Sequence, residues 1–349
     1  MTLLEKVSKI LGVSDCDNRV EMLPASAITL EATKVYLQVP FLDPHWNEQL
    51  VLKTQSKIAA LGLSLTIETD IPAFQTQKST ASVPGVKNII AISSGKGGVG
   101  KSTVTVNLAL ALVKLGAKVG ILDADIYGPS MPIMLGQAEA RPGSHDGKTM
   151  EPITAHGVVA NSIGFLVPKD DATVWRGPMA SKALSQIIRE TQWGQLDYLI
   201  VDMPPGTGDI QLTMSQQVPL TAAVVVTTPQ NIALADASKG ISMFEKVSIP
   251  VLGVIENMSS HVCNQCGHEE AIFSSGGGQT LASERTLPCL AQLPLHIQYR
   301  QDTDNGLPTV SAEPESVLSQ HYLSLASRLT VEMAKTLHAQ PQVIAVKQL

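Results

Sequence analysis

Ile89-Ile90-Ala91-Ile92-Ser93-Ser94-Gly95-Lys96-Gly97-Gly98-Val99-Gly100-Lys101-Ser102 decides the fold: a buried-strand run enters a glycine-rich loop, and an apolar helical pattern leaves it. Glycines at 95, 97, 98 and 100 tolerate positive φ and carry no bulk, so successive N–H groups can converge on phosphate oxygens at the start of the following helix. In the G-x-x-x-x-G-K-S pattern, Lys101 reaches the β/γ-phosphates and the Ser102 hydroxyl binds magnesium. The expected ATP-binding stretch is therefore Gly95, Lys96, Gly97, Gly98, Val99, Gly100, Lys101, Ser102 and Thr103. Lys96 is one lysine more than the cradle needs. Either it is simply solvated, or it is offered to a neighbouring nucleotide as an arginine finger is supplied in trans, which implies a homodimer with two ATP molecules between its subunits.

Two further strand ends carry carboxylates. Val119-Gly120-Ile121-Leu122-Asp123-Ala124-Asp125 places Asp123 to hold a magnesium-bound water and Asp125 to orient the attacking water, making Lys96, Lys101 and Asp125 the expected catalytic set. Tyr198-Leu199-Ile200-Val201-Asp202 has the pattern of a Walker B strand, with Asp202 supporting magnesium beside Ser102. The Pro204-Pro205-Gly206-Thr207-Gly208-Asp209 that follows fits a γ-phosphate switch in which Gly206 offers its N–H. Asn257 is a candidate reader of the adenine edge, with a capping role as the alternative.

From Asn88 onward, continuous apolar strands (88–93, 119–122, 198–201, 222–227 and 251–255) alternate with helical stretches near 102–115, 179–192 and 232–246. That order predicts an α/β domain, a mainly parallel doubly wound sheet with nucleotide at the strands' carboxyl ends. A last helix is expected at about 315–336, its apolar stripe serving core or dimer packing. Upstream, strand-like alternation at 34–39, a helical pattern through Leu50 and Ile58, and alternation again at 63–67 read as a small α+β domain. The expected organisation is the small domain at 1–75, a flexible linker at 76–87, the P-loop ATPase domain at 88–340 and a tail at 341–349.

With 349 residues, 44% of them apolar, the chain can hold more than one core, and its net charge of −6 without a basic run argues against nucleic acid or a polybasic membrane anchor. No eighteen-residue apolar run or signal peptide is found, so a soluble, cytoplasmic protein is expected. Four cysteines, Cys16, Cys263, Cys266 and Cys289, are too few and too irregularly placed for a secreted disulfide framework.

His261-Val262-Cys263-Asn264-Gln265-Cys266-Gly267-His268 is the second informative cluster, because two thiolates at C-x-x-C spacing can grip a metal centre. Two more ligands are needed. A two-fold axis could bring two C-x-x-C pairs together around one iron-sulfur cluster, whereas zinc held by Cys263, Cys266 and the flanking histidines is the competitor. A redox role is disfavoured because this C-x-x-C does not open a helix.

Together, Ser94 to Ser102, Asp123-Ala124-Asp125-Ile126-Tyr127-Gly128-Pro129-Ser130, Asp202 to Asp209, Thr228-Pro229-Gln230 and Glu256-Asn257-Met258 leading to the two cysteines resemble one family. It is the Mrp/ApbC family of iron-sulfur cluster carrier ATPases, within the deviant Walker A class that also holds the MinD and ParA positioning ATPases. The resemblance spans about residues 88 to 300. It implies an ATP-hydrolysing homodimer that holds a 4Fe-4S cluster through Cys263 and Cys266 of both subunits, receives it from an assembly scaffold and passes it to apo-proteins. It also implies that Lys96 is the signature lysine acting across the dimer. The N-terminal domain resembles the small iron-sulfur-assembly domain often fused to these carriers: Asp43-Pro44 fits, while His45-Trp46-Asn47 departs from the usual small and acidic residues. A positioning ATPase switching on membrane or DNA is the alternative, against which the C-terminus lacks a basic amphipathic helix of useful length.

Overall fold

The computed structural model describes residues 2–15, 17–75, 82–167, 177–263 and 265–337. The chain divides into two compact units, one of Met1–Pro72 with Ser327–His338 and the other of Ala73–Ala326. This departs from the expected boundaries, since residues 327–338 join the N-terminal unit.

In the N-terminal unit, β1 (Ile28–Glu31), β2 (Lys34–Val39) and β3 (Ser64–Thr69) form a three-stranded sheet, β1 antiparallel and β3 parallel to β2. Helices α1 (Leu3–Ser14) and α2 (Pro44–Ala59) complete it. Thr2 and Glu5 form a capping box on α1. Asp43-Pro44 is the N-cap and first residue of α2, the Asp43 side chain accepting from Trp46 N–H at 3.0 Å. Burial alone would raise the Asp43 carboxyl, but the hydrogen bonds from Arg19 and the Trp46 N–H outweigh it and hold it below its ordinary value.

The core gathers Leu11, Val35, Leu37, Phe41, Leu50 and Ile58. Trp46 sits edge-on to Phe41 at 5.3 Å and donates its indole N–H to buried Asp15 at 3.0 Å. Trp46→Phe keeps an aromatic ring, smaller than the indole, and removes that donor. We expect it to lower local stability by about 1 kcal/mol, read from faster hydrogen exchange of the α2 amides.

In the second unit, nine strands among the described residues form one sheet. They are β4 (Val86–Ser93), β5 (Val119–Asp123), β6 (Ile153–Ala155), β7 (Val158–Ser162), β8 (Leu196–Asp202), β9 (Ala222–Thr227), β10 (Val251–Val262), β11 (Glu269–Glu270) and β12 (Cys289–Leu295). The order runs β11-β10-β9-β4-β8-β5-β7-β6, with β12 paired to β10. All pairings are parallel except β6 with β7 and β10 with β11. The central strands are buried along nearly their whole length, as a sheet covered on both faces requires.

The intervening helices are α3 (Lys101–Lys114), α4 (Met131–Met134), α5 (Gly177–Glu190), α6 (Asp209–Gln217), α7 (Asn231–Lys246), α8 (Gly277–Glu284), α9 (Ile297–Asp304), α10 (Thr309–Ala312) and α11 (Val317–Thr336). Two features went beyond the expected pattern. The β6–β7 hairpin turns at His156 and Gly157, both at positive φ as a two-residue type I′ turn requires. And β10 continues seven residues past its apolar run, to Val262.

The expected flexible linker also needs correction. Residues 76–81 and the tail 341–349 lie outside the described residues, but Val83 is buried in the second unit's core and Val86 and Lys87 already belong to β4. No helix among the described residues is long and apolar enough to cross a membrane.

Candidate functional site

The carboxyl ends of β4, β5 and β8 lie side by side: Ile92 pairs with Asp202, and Asp202 pairs with Asp123. Between β4 and α3 runs the glycine loop. Gly98 and Gly100 have φ of 82° and 83°, left-handed values that side-chain-bearing residues avoid, and Gly100 is the N-cap of α3. Gly95 lies flat against the α7 backbone, where an added Cβ would collide with the Asp236 carbonyl and the Ala237 nitrogen. Because helix backbone cannot yield, Gly95→Ala is expected to cost about 1–3 kcal/mol and to displace the loop. A lowered melting temperature with weakened nucleotide binding would register both.

Asp202 is the hub of the site and is fully buried. Its Oδ1 takes the Lys101 ammonium at 2.7 Å and the Thr105 hydroxyl at 2.8 Å, while its Oδ2 takes the Ser102 hydroxyl at 2.6 Å. Lys101 also lies 3.3 Å from Ser102 Oγ. Lys101, Ser102 and Asp202 thus converge as their pattern required. Thr105 was not foreseen, although it stands one turn beyond Lys101 on the same face of α3.

The other expected residues divide. Val99 is buried, Gly97 and Gly98 are exposed with Lys96, and Thr103 is half-buried in the first turn of α3. The Lys96 ammonium has no partner among the described residues, while its carbonyl accepts the Ser94 hydroxyl at 3.0 Å. Asp123, expected to hold a magnesium-bound water, stands in a dense set of hydrogen bonds. Its fully buried carboxylate takes the N–H groups of Asp125 (3.2 Å), Ser130 (3.0 Å) and Met131 (3.1 Å) and the Ser162 hydroxyl (3.0 Å). These four donors make it a tether for the loop that carries Asp125. Burial, reinforced by the nearby Asp202 charge, pushes the Asp123 carboxyl up to about 7. Burial also raises Asp125, against the attraction of Lys101.

Gly206, at φ 103°, donates its N–H to the Ser94 carbonyl at 3.0 Å, so the expected γ-phosphate donor is joined to the root of the phosphate loop. Gln211 of α6 braces the same junction, donating to Ser93 Oγ and, at 3.4 Å, to the Pro204 carbonyl. No sequence pattern marked it. Asn257, the candidate reader of the adenine edge, is buried and donates to the Val99 carbonyl at 2.8 Å.

Beyond β10, the chain folds Cys263 to Cys266 into a knuckle. The Cys263 N–H donates to the His268 carbonyl at 2.9 Å, the Gly267 N–H to the Cys263 carbonyl at 2.8 Å, and Gly267 takes the left-handed φ of 70°. The N–H groups of Gln265 and Cys266, then the Cys266 thiol, hydrogen-bond to the Cys263 sulfur and hold its thiol below the ordinary range, favouring the thiolate that binds metal. Cys263 is half-buried and Cys266 exposed. No group of three or more His, Cys, Asp or Glu side chains able to hold a metal ion forms among the described residues. His261 Nδ1 faces a Glu270 carboxylate oxygen at 3.8 Å. Cys289 opens β12 against the core, and Cys16 lies outside the described residues.

The chain is similar to known proteins over most of its length. Residues 85–330 match the ParA family described as the NUBPL iron-transfer P-loop NTPase. The iron-sulfur cluster carrier protein of Haemophilus influenzae is 57% identical over 311 residues, covering 87% of this chain and 83% of its own length. Among solved structures, a nucleotide-binding protein of Archaeoglobus fulgidus in complex with ADP is 35% identical with a TM-score of 0.59, over 68% of this chain and 93% of its own. The cell division ATPase MinD of Pyrococcus furiosus shares the fold at 24% identity and a TM-score of 0.54, over 69% of this chain and 98% of its own.

Proposed function

The chain belongs to the NUBPL iron-transfer P-loop NTPase family, and on that premise we propose that it is an ATP-hydrolysing homodimer that carries a 4Fe-4S cluster to apo-proteins. The observation that carries the reading is the Cys263–Cys266 knuckle, two thiols at C-x-x-C spacing left two ligands short, at the end of the strand that also braces the phosphate loop. A second copy supplies the missing pair by symmetry. The cluster is then cargo at the subunit boundary, received from an assembly scaffold and released to recipients.

The nucleotide side follows from the hub. Backbone N–H groups from Gly97 to Lys101 receive the β-phosphate, and Lys101 moves its charge between Asp202 and the phosphates. Ser102 and Asp202 are the residues that would hold Mg2+, whose chemistry is to neutralise phosphate charge. Asp125, raised by burial, is placed to orient the attacking water, and Lys96 reaches the partner's nucleotide. The N-terminal unit is assigned as an assembly-like domain fused to the ATPase unit.

Lys96→Ala tests the dimer. It is expected to leave nucleotide binding in place while removing ATP-dependent dimerisation in sedimentation velocity. Dimerisation that survives the substitution removes the role in trans. Metal analysis of protein purified without oxygen separates iron from zinc.

A further inference from the structure

Building on that reading, we infer that Asn257 is the positioning residue that couples the phosphate loop to the cluster thiols. Two observations lead there. The first is at the loop: the Asn257 carboxamide donates to the Val99 carbonyl at 2.8 Å and occupies the space a Cβ on Gly100 would need. Because a carbonyl only accepts, the amide NH2 must face it. The left-handed Gly100 at the head of α3 is therefore shaped to admit this one side chain.

The second is along β10. Glu256 is the last residue paired with β9, and beyond it β10 is held by β12 and briefly by β11. Met258, directly after Asn257, sits at φ 57° in the middle of a strand, a conformation that branched or bulky residues adopt only where the surroundings impose it. From Asn257 to His261, β10 advances four residues while its partner β12 advances two, Leu293 to Leu295. The bulge is pinned by Ser259 Oγ donating to the Leu293 carbonyl at 3.0 Å. The loop contact and the slack are adjacent. Displacement of Val99 by bound phosphate therefore pulls on Asn257, is taken up or passed on at Met258–Ser260, and reaches Cys263 at the strand's end.

The test measures thiol reactivity, not cluster transfer. In the full-length protein, iodoacetamide labelling of Cys263 and Cys266, resolved by peptide mass spectrometry, is followed with and without saturating Mg·ATP. In the wild type, ATP should change the labelling rate by about fivefold or more, the lower end of ordinary coupling between two sites. In Asn257→Ala and the near-isosteric Asn257→Asp, with ATP raised until each variant is saturated, the labelling rate no longer responds. Met258→Gly, which relieves the left-handed residue, should blunt the response with the contact intact, and it serves if the Asn257 variants fail to fold.

A thiol response that persists in the Asn257 variants overturns the inference. A wild type that binds ATP and cluster without any thiol response overturns the coupling and leaves the carrier function standing. One that binds neither overturns both.

Discussion

Cys263→Ala and Cys266→Ala should each strip the protein of its iron: after anaerobic reconstitution, neither variant retains the visible charge-transfer absorbance of a cluster or more than trace iron. The expectation is severe because the described residues offer the cluster no substitute ligand. Cys289 is committed to the start of β12, where it packs against the core. The histidines on either side of the knuckle form no metal-binding group with it among the described residues. Removing one cysteine per chain leaves the proposed dimer two thiolates where four are needed. Nucleotide affinity should be retained in both variants, since neither thiol touches the phosphate loop. Unchanged iron content in either variant would sink the cluster assignment and leave a P-loop NTPase with an ornamental hairpin.

Lys101→Ala is the second large effect, and it has two parts that can be measured separately. Loss of the ammonium removes the main charge facing the phosphates, and ATP hydrolysis is expected to fall at least about a hundredfold. The same substitution also exposes Asp202 energetically. Its carboxylate is fully buried, faces Asp123, and would keep only the Ser102 and Thr105 hydroxyls. Breaking a buried pair from one side costs about 3–5 kcal/mol, with the surviving hydroxyl donors drawing the loss towards the lower figure. Adding Asp202→Asn to Lys101→Ala removes the stranded charge, so the double variant should recover melting temperature without recovering hydrolysis. Turnover undiminished in Lys101→Ala would remove the nucleotide assignment altogether.

The central sheet was legible because parallel strands buried on both faces leave unbroken apolar runs, and the phosphate loop because its glycines and lysine have few other uses together. Lys101, Ser102 and Asp202 were readable for the same reason. The second half of β10 was not: Glu256-Asn257-Met258-Ser259-Ser260-His261 has no apolar alternation, and it is a strand only because β12 lies beside it. Partners separated by long stretches of chain were equally hidden. That Asn257 holds Val99, that Gly206 holds Ser94 and that Ser130, Met131 and Ser162 converge on Asp123 are facts of tertiary packing. A residue type announces what it can bond, not to whom. The grouping of residues 327–338 with the N-terminal unit was hidden likewise, since the apolar stripe of α11 looks the same whichever core it joins.

Gly95 has one more consequence. With no room for a side chain between the phosphate loop and α7, the peptide bearing Lys96 is bolted to a helix. A lysine on such a mount has a fixed root and a four-carbon stem that sets its greatest reach. In the proposed dimer, the separation at which each subunit reaches its partner's nucleotide, and with it the span open to the four sulfurs, is then bounded by the reach of one side chain from a fixed root.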